Sequence, residues 1–432
     1  MRRPGPARLF LLAGLGWQAA VMAWWLALAV RLAIELDLEP FQLLALGAAL
    51  EGSLLVAEVP TGVLADRVSR KWSVVVGYVS IGGAQVAAGL VSGLWPLILT
   101  QVVWGVGYTF RSGAEIAWVT DELGGPEAVE PLVLRQARWQ LAASVAAVAA
   151  SGVLAQLTSL TTAVVVFGLV TVGQGVALAV LMTEHHHPRR QPAAVAERGD
   201  AGRVEAPSFR AGARVTLGHR SLRVLTAVML LTGLANEAVD RLNIRRLDQI
   251  GLSAGRRDPV VVMAAVTAAD ALLGALVLWW ARHRVTGARV TVGLGAMLAV
   301  SAAGIAGLGL VGNLPVAVVC LVGQGALRSA ALPLPQTWAN AHAPPHLRAT
   351  VLSFVGQANA AGEIAGGLAL GAVAASGSIP AALTGSALLT LAAAATCLLA
   401  PGALPSRRER AASSVVDPVR VRAGAADTWR LR

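Results

Sequence analysis

Twelve apolar runs, each of roughly 20 to 28 residues, follow one another along the sequence. A helix of that length crosses the ~30 Å hydrocarbon layer of a bilayer, and an open chain crosses it as helices because every backbone polar group must be paired within its own segment. With 56% hydrophobic and 14% charged residues, the composition excludes an ordinary water-soluble globule. We therefore expect an all-α integral membrane protein with twelve transmembrane helices. The expected helices cover residues 9–34, 41–64, 73–92, 94–118, 137–157, 160–182, 222–243, 260–281, 289–310, 314–340, 349–373 and 379–400.

The twelve runs form two groups of six, separated by a stretch rich in Pro, Gly and Arg that has no sustained apolar period. A shift of 220 residues brings Gly105 onto Gly325 and Trp118 onto Trp338. A weak parallel repeat of this kind predicts two pseudo-symmetric six-helix bundles that rock around a central site. The expected domains are an N-terminal bundle at 1–182, a cytoplasmic linker at 183–220, a C-terminal bundle at 221–400 and a cytoplasmic, disordered tail at 401–432.

Basic residues set the expected orientation, because cytoplasmic loops of membrane proteins are enriched in Lys and Arg. With the N-terminus inside, roughly 27 basic residues fall on the inner side and about six on the outer side. Both termini are therefore expected in the cytoplasm. The net charge of +11 indicates attraction to anionic lipid and not to nucleic acid.

Five arginines after helix 7 contradict this charge pattern, because the orientation places them on the outer side. Either their loop has a function or the helix is misplaced. They are Arg241, Arg245, Arg246, Arg256 and Arg257.

A short charged loop between helices 2 and 3 carries the most specific motif. The sequence there, EVPTGVLADRVSRKW, resembles the loop motif of the major facilitator superfamily, with Ser69 where the family often has a second glycine. The resemblance covers Leu9 to Ala400 and implies the major facilitator fold. In that family the motif is thought to latch the outward-facing state through close helix approach and charge-assisted hydrogen bonds; the alternative is that it only fixes the topology. The implied latch residues are Gly62, Asp66, Arg67, Arg70 and Lys71.

Three acidic residues inside the expected helices are candidates for proton coupling, since an ionisable group in hydrocarbon is costly and is a functional hypothesis by default. Glu51 and Glu58 are seven residues apart on helix 2 and therefore share a face. Asp270 on helix 8 lies one position from the residue that the repeat pairs with Glu51. A carboxyl group at that depth could bind and release a proton during transport.

Polar and aromatic side chains on helices 1, 4, 7 and 11 are candidates for lining a substrate cavity. On helix 4 they recur about every 3.5 residues, which gathers them on one side, and Arg111 and Glu115 are spaced to pair. Antiporters of the family typically carry an arginine three residues before a Gln-Gly pair, and this chain departs from that pattern with Gln101 and Trp104. The candidates are Gln18, Gln101, Trp104, Tyr108, Arg111, Glu115, Asn236, Gln357, Asn359 and Glu363.

Two further features have structural interpretations. Glu237 and Arg241 are four residues apart, and we interpret them as a salt bridge on the outer rim in preference to a gate. Trp24 and Trp25 lie near a helix end, where anchoring at the membrane interface explains them.

The motifs of other function classes are missing from the sequence. No phosphate-binding glycine loop and no nucleophile triad occurs in a suitable context, so we expect neither an enzyme nor an ATP-driven pump, and no cofactor or metal site. Cys320 and Cys397 both fall inside helices, which implies no disulfide framework.

Three stretches, EVPTGVLADRVSRKWSVVVG, GAEIAWVTDE and LRATVLSFVGQANAAGEIAGG, are similar to bacterial drug-efflux members of the superfamily related to macrolide exporters. This resemblance implies proton-coupled efflux of small amphipathic organic compounds by alternating access in the inner membrane of a bacterium. An importer or uniporter of a metabolite is the alternative, and a non-transporting membrane sensor is a remote one. We expect a monomer whose partners are its small-molecule substrate, protons and membrane lipid.

Overall fold

The structure is a computed structural model that describes residues 4–184, 209–254, 258–281, 284–285, 289–344 and 347–398. The side chains at positions 63, 66, 126, 209–212, 349 and 398 are outside that description. All regular structure in the described residues is helical.

The first half of the chain forms a bundle of six helices. Leaving aside a π-helical turn, Arg31–Glu35, that continues the first of them, these are α1 (Pro6–Val30), α2 (Pro40–Arg67), α3 (Arg70–Leu90), α4 (Leu94–Leu123), α5 (Pro126–Leu157) and α6 (Leu160–Leu181). Arg31 in the π-helical turn donates to the carbonyls of Ala88 and Val91 at the end of α3. These bonds satisfy carbonyl groups that a helix end leaves without partners.

The second half forms a bundle that repeats this plan. Its helices are α7 (Phe209–Gly218), α8 (Arg220–Gln249), α9 (Pro259–Ala281), α10 (Arg289–Leu310), α11 (Leu314–Ala331), α12 (Pro333–His342), α13 (Arg348–Ser376) and α14 (Ile379–Leu398). The short α7 precedes the bundle, and α11 and α12 are two segments of one span, Leu314–His342. The helix breaks between them because Pro335 has no N–H and its ring would clash with the carbonyl of residue 331.

Eleven segments of the described residues are long and apolar enough to cross a bilayer. The helix α4 is not among them, because Arg111, Glu115, Asp121 and Glu122 reduce its apolar character, yet it packs between α2 and α3 along its length. With α4 the crossing segments number twelve, and the expected fold class is confirmed.

Two helix boundaries differ from those expected by more than five residues. The helix α5 begins at Pro126, not at 137, because its first eleven residues extend beyond the apolar segment that the expectation measured. The helix α8 runs to Gln249, not to 243, and so includes three of the five arginines placed in an outer loop. One of them, Arg246, is buried and donates to the carbonyls of Leu308 and Val311 at 3.1 and 3.0 Å. The expected loop was therefore wrong for these residues; positions 255–257 lie outside the described residues.

Close contact between α8 and α13 depends on glycines. A β-carbon at Gly366 of α13 would lie 2.1 Å from the Leu234 carbonyl oxygen of α8, and one at Gly233 would lie 2.2 Å from the Asn359 carbonyl oxygen. Backbone atoms cannot yield to such an overlap as a flexible side chain can. Small residues are what allow membrane helices to approach this closely.

We expect Gly366→Val to separate α8 from α13 and to lower the stability of the protein by about 1–3 kcal/mol or more. The measurement is the thermal unfolding midpoint of the detergent-solubilised protein together with its monodisperse yield. Gly356→Val on the same helix is the matched control, because a β-carbon there meets no atom within 4 Å. Equal stability of the two variants would contradict the close packing.

Candidate functional site

The two halves contact each other mainly at one end of the bundle. We call the end at which α1 begins and α6 ends the linker end, and the opposite end the far end. At the far end, Gly371 of α13 packs against Leu44 of α2. Arg245 of α8 pairs there with Asp37 and donates to the Ala33 carbonyl at 3.2 Å. These contacts between the described residues of the two halves therefore lie away from the linker end.

Two cavities lie on the linker-end side of these contacts. The smaller has a volume of about 280 Å³ and lies between the halves, with Glu51, Glu58 and Tyr108 on one side and Ser353 and Gln357 on the other. The larger has a volume of about 530 Å³, and its described lining belongs entirely to the second half. Its lining includes the polar residues Thr232, Asn236, Asp240, Ser301, Arg328, Ser329, Gln336, Asn359, Glu363 and Thr390.

The far-end contact can be fixed covalently. A β-carbon at Gly371 would lie 3.3 Å from the Leu44 β-carbon, near the ~3.8 Å typical of disulfide-bonded cysteines. We expect Leu44→Cys/Gly371→Cys, with Cys320 and Cys397 replaced by alanine, to cross-link on oxidation and to lose transport until it is reduced. Mass spectrometry reports the cross-link, and each single-cysteine variant is the control. Full transport by the cross-linked protein would contradict opening of the far end.

A carboxyl cluster, consisting of Glu51, Glu237, Arg241 and Glu363, lies where the smaller cavity meets the far-end contact. The Glu51 carboxyl group of α2 lies close to that of Glu363 of α13, with Glu237 and Arg241 of α8 in electrostatic range. Asn359 donates to Glu363 at 2.8 Å. A hydrogen bond between two carboxyl groups requires a proton on one of them, because an ionised carboxylate only accepts. The cluster can therefore hold a proton at the contact between the halves.

The ion pair within this cluster is buried between the halves. Arg241 donates to Glu237 at 2.8 Å, and the two side chains are only 9% and 8% exposed. The Arg241 guanidinium also lies 4.8 Å from the ring centre of Trp25 in the first half, and Gly47 of α2 leaves room for the Glu237 carboxylate. The expected salt bridge is confirmed, but its position on the outer rim is wrong because the pair is buried.

A second buried ion pair lies inside the first half. Arg111 and Glu115 of α4 pair at 2.7 Å with side chains 10% and 8% exposed, and the Arg111 guanidinium lies 3.9 Å from the ring centre of Trp17 and 5.1 Å from that of Tyr78. Cation–π contacts of this kind strengthen when they are desolvated. Both charged residues lie behind the cavity wall and not among its described lining.

Stacked aromatic rings separate this ion pair from the cavity. Trp104 stacks on Tyr108 with ring centres 5.5 Å apart, and Trp24 stacks on Trp104 at 6.4 Å. Tyr108 alone of the three lines a described cavity, while Trp24 is fully buried, so its assignment as an interfacial anchor is wrong. Gln101 is also buried, and Gln18 donates to Ser144 of α5 at 3.0 Å.

A charged group in the second half faces the larger cavity. Arg328 of α11 pairs with Asp240 of α8 at 2.8 Å, and both side chains are partly exposed to the cavity. Asp270 of α9 lies behind Arg328, within electrostatic range of it, and packs against Gly325 of α11. One Asp270 oxygen is buried without a hydrogen-bond partner among the described residues.

Comparison with known proteins identifies the fold family. A family model described as Major Facilitator Superfamily matches residues 9–303. The chain belongs to the major facilitator superfamily. Membership identifies a multi-pass membrane transporter and confirms the expected fold family.

Several solved structures of major facilitator transporters superpose on this one. The nucleoside transporter NupG has a TM-score of 0.73 and 12% identity over 91% of this chain and 98% of its own. A bacterial homolog of the human lysosomal transporter Spinster, inward-facing and occupied, has a TM-score of 0.69 and 15% identity over 92% and 97% of the two chains. A POT family transporter has a TM-score of 0.67 and 12% identity over 91% of this chain and 95% of its own. At these identities the likeness concerns the fold alone. Comparison with curated proteins gives no match.

The superfamily loop motif lies at the linker end, and its described contacts stay within the first half. Arg70 pairs with Asp121 and donates to the Ala117 carbonyl of α4 at 2.9 Å. Arg67 is exposed, and Lys71 lies 5.5 Å from the ring centre of Trp72. A β-carbon at Gly62 would meet no atom within 4 Å, so the close helix approach expected there is not made in this conformation.

The Asp66 side chain lies outside the description. The role of the whole motif as a latch stays a prediction.

Sequence reasoning missed two charged residues of this major facilitator protein. Arg31 is 5% exposed and ties α1 to α3, while Arg328 faces the larger cavity. Both sit in long apolar segments, so the criterion that selected Glu51, an ionisable residue in hydrocarbon, would have found them.

Proposed function

We propose that the protein is a proton-coupled secondary transporter that exports small amphipathic organic compounds by alternating access. The observation that carries the proposal is the close approach of Glu51 to Glu363. It brings a carboxyl group of the first half beside one of the second half, so gain or loss of a proton by this pair changes the free energy of contact between the halves. A ligand that binds two states unequally shifts their equilibrium by that difference.

The proposed cycle follows from the position of this pair. With the orientation favoured by the basic residues, the linker end faces the cytoplasm and both cavities open inward. Substrate enters beside the protonated pair and displaces its proton into the cytoplasm, and substrate binding promotes opening of the far end. A proton from outside then replaces the substrate and returns the carrier to the conformation described here. The site needs no cofactor for these steps, and we place the carrier in the cytoplasmic membrane as a monomer.

The charges of the cavity walls support an amphipathic substrate that carries a positive charge. Four carboxyl groups line the two cavities, from Glu51, Glu58, Asp240 and Glu363, against the single arginine Arg328 among the described lining. Leucine, valine and methionine side chains supply most of the rest of the larger cavity. An apolar wall with an excess of negative charge favours cationic amphiphiles, in agreement with the resemblance to drug exporters.

A second candidate is uptake of a polar metabolite. Hydrogen-bonding side chains are concentrated in the larger cavity, where Thr232, Asn236, Gln336 and Asn359 could bind hydroxyl or amide groups. The fold is similar to that of a nucleoside transporter. In this alternative the same proton would travel inward together with the solute.

Transport in proteoliposomes under an imposed pH gradient separates the two candidates. The screened solutes are lipophilic cations, macrolide-like compounds, nucleosides and sugars, with internal pH recorded together with solute movement. Solute and proton moving in opposite directions supports export, and movement in the same direction supports uptake. Solute movement without any proton movement overturns proton coupling in both forms.

A further inference from the structure

The helix α5 has one face that packs against the second half at the far end only. A β-carbon at Gly152 would lie 3.2 Å from that of Ala264 on α9. Steps of four, three, four and three residues lead from Arg138 through Ala142, Val145 and Ala149 to Gly152, so these residues lie on one face of the helix. Toward the linker end, the described lining of the same face comes from α5 alone.

The open part of this face forms a basic groove, lined by Pro131, Leu134, Arg135, Arg138, Trp139 and Ala142. The groove has a volume of about 730 Å³, and Leu134 and Trp139 are 58% and 57% exposed. Arg135 and Arg138 are exposed and form no ion pair or hydrogen bond with any residue that the structure describes. Glu127 and Glu130 lie closer to the start of α5, outside the described lining.

The depth of the basic groove matches the headgroup layer of a bilayer. Leu157 ends α5, and the eighteen helical steps from Trp139 to Leu157 span about 27 Å at 1.5 Å per residue, close to the ~30 Å hydrocarbon thickness. Trp139 therefore lies at one membrane interface, where tryptophan is enriched, and the arginines lie at or just beyond it. Arginines at that depth can extend to lipid phosphates.

The helix α9, which covers this face of α5 at the far end, adds no negative charge at the linker end. The described segment that follows α9 carries Arg284, whose guanidinium lies 4.5 Å from the ring centre of Trp280. Closing α9 onto the basic groove would bring like charges together, which costs free energy unless an anion lies between them. An anionic headgroup can occupy that place in either conformation.

We propose that the basic groove binds the headgroup of an anionic phospholipid. The phosphate pairs with Arg135 and Arg138, Trp139 packs along the glycerol region, and the acyl chains follow the apolar surface of α5 beyond Ala142. The bound lipid neutralises the gap between α5 and α9. Basic grooves between membrane helices at the interface are typical sites for anionic headgroups.

The test measures lipid binding to the purified full-length protein in neutral detergent by native mass spectrometry, with dioleoylphosphatidylglycerol and dioleoylphosphatidylcholine as ligands. We expect phosphatidylglycerol to bind in preference, and Arg135→Gln/Arg138→Gln to weaken that binding by about tenfold to thirtyfold. Arg220→Gln/Arg223→Gln is the matched control, because it removes two exposed charges from the linker end of α8. Arg135→Lys/Arg138→Lys, which keeps both charges, should restore most of the binding.

Three results would overturn the proposal. They are equal binding of the two lipids, an equal loss in the α8 control, and unchanged binding in the glutamine variant. A fourth measurement distinguishes lipid from a soluble anion, since inorganic phosphate at millimolar concentration should not displace phosphatidylglycerol. Displacement at that concentration would make the groove a site for soluble anions and would also overturn the proposal.

Discussion

Replacement of Glu51 by glutamine is expected to reduce transport driven by a pH gradient by at least about tenfold, while the protein still folds and binds substrate. Coupling free energies between sites are typically worth about 5- to 150-fold, and the glutamine amide cannot exchange a proton with Glu363. The measurement compares solute flux in proteoliposomes with and without the gradient. Substrate binding to the solubilised variant, followed by its effect on thermal stability, shows that the site itself remains.

Glu58→Gln is the matched control for this result. Glu58 lies one heptad further along the same face of α2 and also lines the smaller cavity, but its side chain is exposed. We expect its variant to keep most of the pH-driven flux. We expect Glu363→Gln to behave like Glu51→Gln, and the double variant to lose little more, because the effects of residues in contact are not additive. Flux at the wild-type level in Glu51→Gln would show that this pair does not carry the transported proton.

Replacement of Glu115 by glutamine is expected to destabilise the first half by about 3–5 kcal/mol, the usual cost of removing one partner of a buried ion pair. Arg111 would keep its charge beside the rings of Trp17 and Tyr78, with no other carboxylate in the described contacts. The measurement is reversible unfolding in mixed micelles, followed by circular dichroism. Glu130→Gln, at an exposed position of α5, is the control and should be near neutral.

The double replacement Arg111→Met/Glu115→Leu tests whether apolar residues can replace the same ion pair. A buried ion pair costs desolvation, and apolar residues of similar volume often replace it at little cost. We therefore expect the double variant to be more stable than Glu115→Gln. A Glu115→Gln variant as stable as the wild type would show that the ion pair contributes little to the packing of α4.

The sequence predicted the twelve spans because each span must match the thickness of hydrocarbon, and length with apolarity measures that match. It did not predict the parts of helices outside the hydrocarbon. The amphipathic start of α5 and the arginine-bearing end of α8 were assigned to loops for this reason. In α8 the helix continues because Arg245 and Arg246 find acceptors at the far end, and those acceptors come from distant parts of the chain.

The candidate site was also only partly predictable from the sequence. Spacing near 3.5 residues placed Tyr108, Arg111 and Glu115 on one side of α4, yet that side is shared between the cavity and the interior of the first half. Tyr108 lines the cavity, and the two charged residues face inward against Trp17. The tilt of a helix relative to its neighbours decides which of its side chains reach the cavity. A single sequence does not give that tilt. Glu51 and Glu363 were both selected, but nothing in their spacing indicated that they meet.

The single proton that we propose Glu51 and Glu363 to share would also determine how much electric charge crosses the membrane in each cycle. Exchange of one proton for one monovalent cation moves no net charge, so membrane voltage would leave its rate unchanged. Exchange of one proton for a neutral solute moves one charge, and each 100 mV of voltage then contributes about 2.3 kcal/mol. A voltage clamp set by potassium and valinomycin would therefore separate cationic from neutral substrates of the same carrier.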